Sequence, residues 1–311
     1  MNDQDHVRRF LGSLAVGEPL RFKGLALYPI QGGGTSPFAC LTLDEAVARG
    51  SLHVGEVGAG TVPELLLSNE GDDRVFLLDG EELVGAKQNR ILNTSLLVEG
   101  RARLTVPVSC VERGRWAYTS GRAMRASHLS HPGLRGEKAA QVRESLRKHG
   151  SYASDQAEVW RHVDRKLLSL GAVSDSSALE DGFERHRESL EEYTARLPCP
   201  DGALGVAAAI AGRAACADLF AVPTLLARLW DKLVASYALD AIDAPRGAAE
   251  PPAPAAIARM LALREDALLE AFAAPGLGAN VRVRAGRVTG SALVVDGAVV
   301  HAELFASGDG E

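Results

Sequence analysis

The chain has 311 residues, 46% of them apolar and 24% charged, with a formal net charge of −6. That is the make-up of a globular chain with a substantial core, and its acidic balance argues against a broad nucleic-acid-binding face. The longest apolar run, residues 203–211, is far too short to span a membrane, and the charged first ten residues do not resemble a secretory signal.

From about 18 to 119 the pattern is β. Leu20–Ile30 alternates and ends in a glycine-rich turn at 31–35. Thr42 is placed to cap a short helix, Leu43–Arg49, closed by Gly50. Strand-like runs are predicted at 51–57, 62–68, 74–78, 91–98 and 104–111. Asp79-Gly80 after Val75–Leu78 reads as a hairpin turn, with Asp79 as its turn residue. Residues 136–197 are predicted helical, with Trp160, Val163, Leu167 and Leu170 on one face and Leu179, Phe183, Leu190 and Tyr193 on another. His128 and His131 fall in a segment read as flexible.

Beyond Pro198 the elements mix. Residues 203–212 fit a buried strand, although Ala207, Ala208 and Ala209 favour helix. A helix from Pro223 carries Leu225, Leu229, Leu233 and Tyr237 along one stripe. A proline- and alanine-rich loop spans 244–256, a further helix is predicted over Ile257–Phe272, and the tail returns to strands around 281–284, 291–295 and 298–305. The expected fold is a single α+β unit over 10–305: the N- and C-terminal β sections form one mostly antiparallel sheet system, and the intervening helices pack on it. Cys40, Cys110, Cys199 and Cys216 lack zinc-site spacing and read as reduced, cytoplasmic thiols. The Ala- and Arg-rich usage points to a bacterial source.

Candidate chemistry concentrates at 79–93. The chain has five Asn and five Gln, and Gln88, Asn89 and Asn93 fall here; of its 34 basic residues only six are lysine, and Lys87 is one. A compact ammonium where arginine is the habit suggests a phosphate or other point-charge partner. Asn89, Asn93 and Ser95 would share one face of a strand, either reading a ligand's polar edge or satisfying neighbouring backbone. Glu81 and Glu82 would face opposite sides unless a turn intervenes. In 104–112 one row is Leu104, Val106, Val108, Cys110 and Glu112, and the other contains Pro107 and Ser109. Pro107 predicts an edge or a bulge. If the strand persists, Glu112 continues a core-facing row and needs Lys87, Arg90 or Arg115 as partner; if it stops at Val111, Glu112 is a solvated turn residue paired with Arg113. Cys110 is a nucleophile if His301 or Lys87 lowers its pKa and inert packing otherwise. Trp116 either stacks a nucleobase or closes the core, and His301 shares a face with Glu303.

Residues 78–90 (LDGEELVGAKQNR), 93–95 (NTS), 106–112 (VPVSCVE) and Trp116 resemble the ARG and Rhodanese-Phosphatase-superfamily-associated Protein domain family, as do 218–220 (DLF), Trp230, Tyr237 and His301. The resemblance carries no catalytic residue across; it implies a place near ADP-ribose or NAD-derived metabolites. The leading expectation is a phosphorylated, nucleotide-like ligand, with Lys87 and Arg90 on phosphate, Gln88, Asn89 and Asn93 on ribose or base, and Glu82 or Glu112 as general base if hydrolysis occurs. Glu81, Ser109, Cys110, Arg115, Trp116 and His301 complete the candidate set. The alternatives are a non-catalytic scaffold module whose polar motif is structural, and a metal-dependent hydrolase using the glutamates with His301.

Overall fold

A computed structural model describes residues 2–32, 38–58, 60, 62–116, 124–244, 249–263 and 266–306. Most of the glycine-rich turn expected at 31–35, part of the loop at 244–256, and residues 117–119 lie outside the described residues. Helices and mostly antiparallel strands make the fold α+β. Among the described residues no helix is long and apolar enough to cross a membrane.

The two ends of the chain meet in one nine-stranded sheet. Its order is Leu14–Val16, Leu25–Gly32, Gly205–Ile210, Arg213–Phe220, Ala298–Ala306, Val288–Val295, Ala279–Ala285 and Leu268–Ala273, with Leu20–Phe22 also paired to Leu25–Gly32. The rest of the N-terminal β section forms two smaller sheets. One orders Met124–Leu129, Glu81–Gly85, Arg90–Leu92, Arg103–Cys110, Glu64–Asn69 and Leu52–Glu56; the other orders Leu96–Val98, Val75–Leu77 and Leu41–Thr42. A separate apolar core fills these smaller sheets, with Leu65, Leu67, Leu83, Leu92, Val106 and Met124 among its members.

Several local expectations change. The run 91–98 is two strands in two sheets: Arg90–Leu92 pairs with Arg103–Cys110 up to a last bond from Asn93 N–H to Pro107 O, and Leu96–Val98 pairs with Val75–Leu77. Pro107 is not at an edge. It stands where Arg103–Cys110 exchanges one partner, Glu64–Asn69, for another, Arg90–Leu92. The helix expected over Ile257–Phe272 ends at Leu261, and Leu268–Ala273 is an edge strand held by its ladder to Ala279–Ala285; pairing outweighs the helix propensity of its residues. Arg213–Phe220, unforeseen, returns from Gly205–Ile210 through Ala211 and Gly212, both at positive φ. His128 and His131 lie in a strand and at the N-cap of Pro132–His149, not in a flexible segment. The Thr42 cap is present, completed by Glu45 as a capping box.

Period-two alternation divides the faces of the large sheet. One face places Ala217, Leu219, Val281, Val283, Ala292, Val294, Ala302 and Leu304 in an apolar core covered by Asp3–Gly12 and Pro254–Leu261. The other face carries a polar row in register across five strands: Glu270, Arg282, Ser291, Glu303 and Asp218. The helix Pro132–His149 lies against this face. Arg135 donates Nη1 to Asp218 Oδ2 (3.0 Å) and Nη2 to Asp218 Oδ1 (2.6 Å) and Glu303 Oε2 (2.8 Å). Tyr237 O–H and Ser291 O–H complete Asp218 and Glu303 at 2.5 and 2.9 Å. One turn further along, Lys138 pairs with Asp79 and donates to Leu92 O (2.8 Å). Asp79 is therefore more than a turn residue: it fastens the motif to the helix. Arg135, Lys138, Asp79, Asp218 and Glu303 are all buried.

Removing one partner of a buried ion pair strands the other charge. Arg135→Met is expected to lower unfolding free energy by about 3–5 kcal/mol, read as a shifted urea midpoint. A loss under about 1 kcal/mol, the range of exposed pairs, would show that the row contributes little.

Candidate functional site

Glu81–Gly85 and Arg90–Leu92 form a hairpin, with Glu82 opposite Ile91 and Leu83 opposite Arg90. Gly85 and Ala86, both at positive φ, turn the chain at its tip. This turn brings Asn89 into contact with three carboxylates. Its backbone N–H donates to Glu112 Oε2 (3.0 Å), and its Nδ2 lies 3.4 Å from both Glu82 Oε1 and Glu180 Oε2. Its Oδ1 accepts from Gly85 N–H (3.3 Å) and Arg115 Nη2 (3.0 Å).

The strand Arg103–Cys110 stops short of Glu112, yet the Glu112 side chain is buried rather than solvated. Arg115 Nε meets Glu112 Oε1 at 2.8 Å and Nη2 meets Oε2 at 2.5 Å; Ser176 O–H adds a bond of 2.9 Å to Oε1. Arg113, the other partner considered, pairs with Asp164. Burial pushes the Glu112 pKa up, but Arg115, Asn89 N–H and Ser176 outweigh it and hold the group below the usual glutamate value. Glu82 goes the other way. Burial, followed by the charges of Glu180 and Glu112, raises it well above the usual range; the Asn89 bond and the charge of Arg125, which pairs with Glu180, oppose this without cancelling it. Two carboxyls that contact the same asparagine, one with its pKa lowered and the other with its pKa raised, are the raw material of acid–base chemistry.

Beside this cluster Trp116 stands half exposed, at 50%. Lys87 Nζ lies 4.9 Å from its ring centroid and Arg90 Cζ 5.8 Å, both within cation–π range. Lys87 N–H donates to Glu56 Oε1 (3.2 Å), and its chain runs against Gly60, where an added Cβ would sit 3.1 Å from Nζ. Arg90 is buried and gives Nε to Val62 O (3.2 Å). Among the described residues, four buried polar atoms of this region lack a partner: Glu56 Oε2, Glu82 Oε2, Gln88 Oε1 and Arg90 Nη2.

The structure thus brings Glu82, Lys87, Gln88, Asn89, Arg90, Glu112, Arg115 and Trp116 into one neighbourhood, with Cys110 at its buried margin opposite Arg90 and its Sγ 3.1 Å from Glu112 O, and it takes Glu81, Asn93, Ser109 and His301 away from it. Glu81 faces the opposite side of its strand, where Oε1 meets Lys232 Nζ at 2.8 Å and Oε2 accepts Leu78 N–H. Asn93 and Ser109 bond each other at 2.6 Å, Asn93 reaches Tyr152 O, and Ser109 reaches Ser154. Cys110 is clamped by Gln156, and burial raises its thiol pKa, so it is poorly suited to be a nucleophile. His301 belongs to the buried ionic row: Nδ1 lies 3.0 Å from Ser95 Oγ and Nε2 3.3 Å from Asp218 Oδ1. The serine–histidine–aspartate order resembles a nucleophilic triad, but all three side chains are sealed from solvent. Sequence reasoning missed Glu180, Ser176 and Arg125. They come from residues that read as solvated helix charges or as loop, and only tertiary packing reveals them.

Asp218, His301 and Glu303 also bring ligand atoms within 4.8 Å of one another, a spacing that suits a metal ion. The donor set does not fit one, because the Arg135 guanidinium already bonds both carboxylates and would stand beside a second buried cation.

The fold and this carboxylate–amide–cation cluster define an α+β protein with a compact polar site on a β-hairpin. The ARG and Rhodanese-Phosphatase-superfamily-associated Protein domain model, ARPP-1, matches residues 13–305, and the chain belongs to that family. No curated protein and no solved structure matches it.

Glu303 supplies a pH test. Burial, then the Asp79 carboxylate, pushes its pKa up to about 8 from an ordinary 4.5. A carboxyl raised in the fold stabilises most below its unfolded value and loses that contribution as pH rises through the folded one. The stability of wild type relative to Glu303→Gln is expected to fall between about pH 4.5 and 8, measured by urea unfolding at several pH values. A difference independent of pH would rule out a retained proton at Glu303.

Proposed function

We propose that the chain is a cytoplasmic bacterial protein that binds a phosphorylated, nucleotide-like small molecule of the ADP-ribose class at the hairpin tip. The observation that carries this reading is a set of four buried polar atoms on Glu56, Glu82, Gln88 and Arg90, without partners among the described residues, in the same hairpin region as a half-exposed tryptophan flanked by two cations. Buried donors and acceptors left unmet are costly, and a ligand's polar edge answers them. Trp116 offers a face for a base, and Lys87 a compact charge for phosphate. Arg90 Nη2 and Gln88 Oε1 offer a donor and an acceptor to a ribose or base edge. Glu82, with its pKa raised, and Glu112, with its pKa lowered, suit a hydrolytic step as acid and base. The ADP-ribose class rests on the association with ARG proteins that the family's name records, and the cytoplasmic placement on four free thiols.

One observation favours a second reading, a non-catalytic module with a structural motif: Asn93, Ser95 and Ser109 of the same motif are matched inside the protein. Calorimetry with ADP-ribose separates the two. Lys87→Met and Trp116→Ala are expected to weaken binding about tenfold or more while the melting temperature moves little, since each removes partly exposed contacts. A silent titration at millimolar ligand, with both variants melting far below wild type, would establish the structural reading instead.

A further inference from the structure

A cleft of about 690 Å³ opens away from the hairpin, between Pro132–His149 and the far end of the large sheet. Arg284, Thr289 and Phe305 form its floor and are cross-strand neighbours in one register row. Gly133, Gly136, Ala140 and Arg143 come from one face of the helix. Gly136 permits the close approach: an added Cβ there would lie 3.0 Å from Phe305 Cβ.

The charges of this cleft are not balanced within it. Its acids are already engaged from outside: Glu137 by His162 (2.6 Å), Asp240 by Lys166 (2.7 Å) and His131 (2.8 Å), and Glu144 by Lys148 (3.0 Å). Its cations are less well met. Arg143 shares Glu270 with Arg147, and its Nε is buried without a partner. Arg284 is exposed and makes no ion pair among the described residues. Two guanidinium groups with donors to spare, in a cavity of metabolite size, match the planar fork geometry of an oxyanion.

We propose that this cleft is a second ligand site, for a phosphorylated small molecule whose phosphate lies between Arg143 and Arg284. Phe305 and Val288 give the organic part an apolar surface, and Glu137 and Asp240 accept from its hydroxyl or amino groups. The site shares no residue with the hairpin cluster and stands or falls independently of it.

The test is calorimetry with ADP and with inorganic pyrophosphate on wild type, Arg284→Ala, Thr289→Glu and Trp116→Ala, each checked for an unchanged melting temperature. Arg284→Ala and Thr289→Glu are expected to weaken both ligands about tenfold or more, and Trp116→Ala to leave this binding event intact. Tighter binding of ADP than of pyrophosphate would place the organic part on the apolar surface; equal binding would make the phosphate the whole of recognition. No heat from either ligand at millimolar concentration overturns the proposal, as does binding to Trp116→Ala that survives the addition of Arg284→Ala and of Thr289→Glu. Heat abolished by Trp116→Ala alone would support the hairpin site and dismiss this one.

Discussion

The structure depends on the buried ionic row between the helix Pro132–His149 and the large sheet. Three carboxyls, Asp79, Asp218 and Glu303, lie out of solvent with Arg135 and Lys138, which pair with them, and with Arg282, which faces the Tyr152 ring at 5.3 Å and has no hydrogen-bond partner among the described residues. Charges removed from water are tolerated only with partners in good geometry. Arg135 can satisfy Asp218 and Glu303 at once only if Arg213–Phe220 and Ala298–Ala306 keep their register and the helix keeps its rotation. A one-residue slip in either strand would turn its carboxylate into the apolar opposite face. The row thus selects one arrangement of strands that their apolar residues alone would leave less determined.

The same row divides the 79–95 motif in two. Asp79 and Ser95 face inward, one to Lys138 and the other to His301, and Asp79 N–H donates to Ser95 Oγ (2.9 Å). Glu82, Lys87, Asn89 and Arg90 face outward to the hairpin site. The inner half anchors the hairpin on which Glu82 and Glu112 have their pKa values shifted in opposite directions. A carboxyl is raised by burial only where water and rescuing donors are kept away, and that requires a rigid setting.

What was legible in the sequence was local. The Thr42–Glu45 capping box, the stripe along Pro223–Asp243 and the C-terminal hairpin all follow from residues within a few positions of one another. The hairpin cluster was legible in part, because five of its members fall within 82–90. The ionic row was not, because its partners are remote: Lys138 is 59 residues from Asp79, and Arg135 is 168 from Glu303. Its one visible trace was the His301–Glu303 alternation in the last strand. Asn93 was assigned to the site because strand periodicity was carried through 93–95, where the chain leaves one sheet for another; Ser109 was assigned from its place in the strand ending at Cys110, where its packing against Asn93 and Ser154 has no local signal.

The helix Pro132–His149 explains why its beginning was overlooked and why it matters. Arg135 and Lys138 lie on its buried face, so the charges that usually mark a solvated surface mark the interior here. An apolar stripe was therefore absent where the fold is most tightly specified. Arg135 also lies over the Phe305 ring, 5.1 Å from its centroid, and Phe305 forms part of the cleft floor. Lys138, on the same helix, holds Asp79 at the root of the hairpin. The hairpin and the cleft are thus fixed to one rigid element through buried charge. A ligand at either place would meet a surface already set by the folding of the whole chain, with little ordering left to be done on binding.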